Sequence, residues 1–177
     1  HMVDNRNAEN HKKLLIKFSD FSKNMTQNHH LENLSEFVLH DVCGLDQFQV
    51  PKAAYLVNNP DFTCLKGVAG YHSQESFRSG DLWSNQKAFT SHMKNAHFNQ
   101  KVRLVQDNAL VLNGAKSDQV RIFGIADQLE ITDPVYHTWK MKHDNQGVLI
   151  FQKPQDFSMG DEHFLQFLYM LSFCPIF

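Results

Sequence analysis

No run of apolar residues in this chain approaches the roughly twenty needed to cross a bilayer, so no membrane-spanning helix is expected. No signal peptide opens it. His1-Met2 reads as the remnant of a cleaved expression tag, although Met2 could itself be the natural start, which leaves residues 3–177 as one domain. Cysteine is scarce: Cys43, Cys64 and Cys174 are odd in number, far apart and without a CxxC pair. That argues against a disulfide framework and a structural zinc site, and it fits a reducing, cytosolic compartment. Basic clusters are missing too. A formal net charge of -2 at pH 7 and a pI near 6.6 provide no positive field for a phosphate backbone, so direct nucleic-acid binding is not expected. Internal repeats, low-complexity tracts and long linkers are also absent, and the chain is long enough to bury one core unaided.

What is present is clearest near the end, in DNQGVLIFQKPQDFSMGDEHFLQFLYMLSF from Asp144 to Phe173. Gly147 suits a chain reversal, and Val148, Leu149, Ile150 and Phe151 suit a strand covered on both faces. Ser158 stands three residues before Asp161, a spacing that caps a helix and places an acid at its positive end. Phe164, Phe167, Leu168 and Leu171 then make one apolar stripe.

The same periodicity predicts a helix from His11 to about Met25 on Leu14, Phe18, Phe21 and Met25, and a second from Leu31 to Gly44 on Leu34, Val38 and Val42. Ala53–Val57 and Phe62–Tyr71 read as a hairpin around Asn58-Asn59-Pro60-Asp61. Phe89, Met93 and Ala96 share one face of a short helix within a polar, aromatic stretch from His72 to Gln100. Strands are expected at Val102–Val105, Ala109–Leu112, Val120–Ile125 and Val135–Lys142, the last pairing with Val148–Gln152 across HDNQG.

This order resembles a GAF domain, a small sensory module. LENLSEFVLHDVCGLDQFQVPKAAYLV is similar to that family's first helix and strand, and GVLIFQKPQDFSMGDEHFLQFLYML to its last strand and helix. The middle third carries no part of the likeness. The resemblance implies an α+β fold, a central antiparallel sheet with the N-terminal and C-terminal helices packed on one face. It also implies a ligand pocket between the sheet and the middle segment. The family's specialised chemistries find little support: Asn85, Lys87 and Phe89 match the cyclic-nucleotide motif only superficially. No cysteine lies between Cys64 and Cys174 to hold a bilin, and Cys43 and Cys174 fall outside the region used by the sulfoxide reductases.

Candidate chemistry is thin. His92 and His97 could offer a metal or haem ligand, but five residues apart they face different sides of one helix. His29-His30, His137 and His143 fit solvated turns and strands. No serine sits in G-x-S-x-G, and Gly67-Val68-Ala69-Gly70 is no phosphate loop. Cys64 could be a redox switch, yet strand cysteines mostly act as small hydrophobes. The ligand-binding candidates are Trp83, Phe89, His92 and Arg103, with Phe98 as a further apolar wall. No catalytic residue, metal or cofactor is indicated.

The reading is a cytosolic, non-catalytic sensory domain of a signalling or transcription-regulatory protein. An unknown small-molecule ligand, a homodimer through the terminal helices and an output domain beyond Phe177 are its expected partners. A stand-alone small enzyme on the same fold and an interaction module with a closed pocket are the alternatives.

Overall fold

Alternating and continuous apolar runs build the sheet. In the computed structural model, which describes residues 2–108, 116–155 and 161–176, β1 (Lys52–Asn59) and β2 (Cys64–His72) form the expected hairpin, and β4 (Pro134–Lys140) and β5 (Gln146–Gln152) form another. The hairpins join through β1 and β5, and a three-residue strand, β3 (Gln106–Asn108), adds to the outer side of β2. The order is β3-β2-β1-β5-β4, with every pairing antiparallel. The four strands read from the sequence are thus neighbours. Pro60–Phe62 forms a single 3-10 turn capped by Asn59, so β2 starts at Cys64 and not at Phe62.

The reversal between β4 and β5 uses His143 and Asp144, both left-handed at φ 58° and 57°, and not Gly147. Gly147 lies inside β5, where a Cβ would run into the indole of Trp139. Its missing side chain makes room for that ring. Val135, Trp139 and Met141 do share a face, packed on the larger core, whereas Tyr136 packs on the other side.

The first face is covered by α1 (Met2–Gln27), α2 (Leu34–Cys43) and α6 (Asp161–Leu168), joined by Phe89 and Met93 from α3 (Gln86–Asn95). Rings of Phe18 and Phe21 on α1 meet Phe167 on α6 edge-on, with centroids 5.3 and 5.6 Å apart, and Phe164 packs on Phe48 and Phe151. The first and last helices therefore lie on one face. The cap assigned to Ser158 and the strand assigned to Ala109–Leu112 lie outside the described residues.

The second face corrects two expectations. Val120–Ile125 is not a strand but the middle of α5 (Lys116–Gln128), and Val102 closes α4 (His97–Arg103), which follows α3 (Gln86–Asn95) after a one-residue break. Ile122, Ile125, Ala126 and Leu129 are buried, whereas Val120 is 71% exposed. The burial follows helical spacing, and the β-branched run misled because Val and Ile serve either element when packed.

Candidate functional site

The chemistry of this fold concentrates where β3 stops pairing and β2 becomes an edge. Beyond Lys66 the backbone of β2 finds partners in α4 and the turn after it: the Gly67 N–H donates to the Val105 carbonyl (2.9 Å), and the Gly70 N–H to Asn99 Oδ1 (2.8 Å). Glycine is needed at both positions. A Cβ on Gly67 would collide with the Val102 carbonyl, and one on Gly70 would lie 2.7 Å from a Val102 methyl. The register slips between Tyr55 and Leu56, which pair with Ala69 and Gly67, so Val68 is the bulged residue. The bulge leaves Val68 packed against the first-face core and on the wall of a cleft, a common use of bulges.

That cleft has a volume of about 270 Å³. Its first wall is the beginning of α2, with Asn33, Ser35 and Glu36 preceded by Glu32. Thr90 and Lys94 of α3 and Arg103 of α4 form the opposite wall, and Pro175 closes one side. No side chain caps α2, since the Asn33 amide donates instead to Thr90 Oγ1 (3.1 Å).

Glu36 is the centre of this arrangement. Its carboxylate is buried, accepts from Asn99 Nδ2 at 2.5 Å and pairs with Arg103 Nη1 at 3.5 Å. Burial raises its pKa, and the Asn99 hydrogen bond, then the charge of Arg103, oppose that rise. Asn99 also donates to the Met93 carbonyl (3.1 Å), so one buried amide ties the acid to the β2 edge and to α3. Beside it, the Ser35 hydroxyl is buried, with no oxygen or nitrogen partner. Its polar neighbour is the Cys174 thiol, whose pKa burial pushes up to about 12 against the opposing effect of a hydrogen bond with Ser35.

A second cleft lies beyond α3. His92 Nε2 meets the Glu75 carbonyl at 2.5 Å, while the Glu75 carboxylate accepts from the Phe98 N–H (2.9 Å) at the start of α4. Behind it His40 is buried, its Nε2 accepting from the Phe77 N–H at 2.9 Å. The ring proton therefore sits on Nδ1, which has no partner. Burial lowers the His40 pKa to about 4, with His92 adding to the effect.

The four sequence candidates do not share a cavity. Arg103 lines the first cleft and His92 the second. Phe89 is fully buried between Phe37, His40 and Phe77. Trp83 lies beneath α1, against Phe21 and Phe37, with its Nε1 donating to Asp41 at 2.9 Å. Phe98 belongs to the second-face core. His92 and His97 fall on separate helices, and among the described residues no group of three His, Cys, Asp or Glu side chains is placed to hold a metal ion. Sequence reasoning missed Ser35, Glu36 and Asn99. The signal that could have found them was a Ser-Glu pair near the start of the strongly apolar helix α2, a place where a polar group is buried and needs a partner.

No family model, curated protein or solved structure matches this chain. No helix among the described residues is long and apolar enough to cross a membrane.

Proposed function

We propose that this chain is a regulatory, non-catalytic sensory domain of the GAF-like kind, with its small-molecule site in the cleft between α2, α3 and α4. The observation that carries the reading is the company this cleft keeps. The buried Glu36 and Ser35 are joined in its wall by Pro175, which follows the closing helix. A ligand there touches the sheet edge and the C-terminal segment together. Occupancy would then bias the path of residues 169–176, and hence an output domain joined beyond Phe177, provided the ligand binds two arrangements of that segment unequally.

Native mass spectrometry of the protein purified from its own cells, followed by hydrogen exchange with and without the small molecule found, tests this reading. Slowed exchange is expected in the first turn of α2 and in residues 169–176. Absence of any bound or bindable small molecule, or protection confined to the outer end of α1, would count against it.

Dimerisation through the terminal helices belongs to the same proposal, on altered grounds. Phe18 and Phe21 pack on the chain's own Phe167, whereas Leu15 and Ile16 on α1 are 59% and 53% exposed. These two residues, with the exposed Phe173, are the surface a second copy would cover. Sedimentation should show a dimer that Leu15→Glu dissociates, and a wild-type monomer at high micromolar concentration would remove this part of the proposal.

A further inference from the structure

The charges of the α2–α3–α4 cleft are sorted by wall. Glu32 and Glu36, four residues apart, belong to the α2 side, and Lys94 and Arg103 to the α3–α4 side. One pair closes across the gap, Arg103 to Glu36 at 3.5 Å. Among the described residues neither Glu32 nor Lys94 enters an ion pair within 4 Å, and the charge of Lys94 reaches Glu36 only at longer range. Ser35 also belongs to this wall, but its hydroxyl is buried against the Cys174 thiol and does not face the gap.

We propose that this cleft binds a small zwitterion of the free amino-acid type, its carboxylate held by Lys94 and Arg103 and its ammonium by Glu32 and Glu36. The inference rests on reading the cleft as the sensory site. A simple carboxylate would satisfy the basic wall but face two acids, and a simple amine would satisfy the acidic wall but face two bases. Only a ligand carrying both charges at short separation complements both walls. Size agrees: 270 Å³ is the share of roughly nine water molecules in the liquid, enough for an amino acid. Val68 and Pro175 supply an apolar surface for a modest side chain.

Isothermal titration of the full chain with each common L-amino acid, and with propionate and ethylamine as probes carrying one charge each, tests the assignment. At least one amino acid should bind with a millimolar or tighter Kd, and propionate and ethylamine at least about tenfold more weakly. Lys94→Gln is an exposed change that should leave the fold intact and weaken binding about tenfold. Glu32→Gln, also an exposed change, should weaken it by a similar factor from the acidic wall. Failure of every amino acid to bind at millimolar concentration overturns the inference, as does binding that both variants leave unchanged. A ligand of another class, recovered from cells and displaced by Lys94→Gln, overturns the zwitterion while the sensory reading stands. If no small molecule of any class alters exchange at the cleft, both readings fall.

Discussion

The two faces of the sheet are packed with different materials. On the first, Phe21, Phe37, Phe48, Trp83, Phe89, Phe151, Phe164 and Phe167 meet largely at steep angles, and α2 brings Glu36 and His40 inside with them. On the second, Leu56, Leu65, Val102, Ile122, Ile125, Val148 and Ile150 interlock, with Phe98 the one fully aromatic member. Tilted rings present polar edges to their neighbours, so an aromatic core can host an imidazole or an indole N–H with modest loss. Branched aliphatic chains offer no such edge and gain by filling space. The difference teaches where the buried polar groups of the cleft and of α2 come from: Ser35, Glu36 and His40 sit in the aromatic packing and Asn99 at the sheet edge, while Asn58 of β1 and Asp118 of α5 are buried elsewhere.

Removing a ring from the first face should have the largest effect. Phe89→Ala deletes a fully buried side chain that touches Phe37, His40 and Phe77, and a loss of about 3–5 kcal/mol is expected in urea unfolding. A smaller loss would show that the aromatic layer repacks around a cavity. Where the two faces meet, Gly67→Ala forces a methyl onto the Val102 carbonyl, backbone against backbone, and should cost about 3 kcal/mol by the same measurement.

The buried imidazole distinguishes the faces by pH. His40 has its folded pKa lowered to about 4, so as pH falls below the ordinary histidine value near 6.5 the unfolded chain takes up the proton first. Stability conferred above that range is lost between about 6.5 and about 4, by no more than about 3 kcal/mol. Glu36 and Asp41 act in the opposite sense: burial raises both, so the native state holds their protons to higher pH and gains relative stability as pH falls. Urea midpoints taken down the acid range should decline in the wild type and decline less in His40→Gln. Equal slopes would place the titration elsewhere.

On the aliphatic face, Ile122→Val removes one buried methylene and should cost about 1 kcal/mol with no change in pH dependence. The smallest effect carries the opposite sign. A methyl added at Gly124 in α5 would meet nothing within 4 Å, so Gly124→Ala should raise the unfolding midpoint by a gain of about 0.5–1 kcal/mol.

Much of the architecture was legible because its signals are local. The Ala53–Val57 run, the Pro60 turn and the alternation of Val135, Trp139 and Met141 state which strands exist and which side they bury, and the stripes of α1 and α6 do the same for the covering helices. Legibility failed on the second face, where Val120–Ile125 suits strand or helix equally by composition and the decision belonged to Ile122 and Ile125 packing under the sheet. It failed again at β3, because Asp107 and Asn108 lie between the strands expected at Val102–Val105 and Ala109–Leu112 and become a strand only through pairing with Cys64 and Leu65. At the cleft, Arg103 alone was anticipated. Glu36 lay hidden because its main partners, Asn99 and Arg103, lie far along the chain.

The sequence by itself determined the sheet's four main strands, the faces they bury and the helices at both ends, since period two and period 3.6 are properties of neighbouring residues. Only the tertiary structure decided the site. Glu36 and Asn99 stand 63 residues apart, and their hydrogen bond exists because Gly67 and Gly70 let α4 close against the β2 edge. An acidic wall and a basic wall come to face each other through that close approach, and charge complementarity across space leaves no mark in the order of the chain.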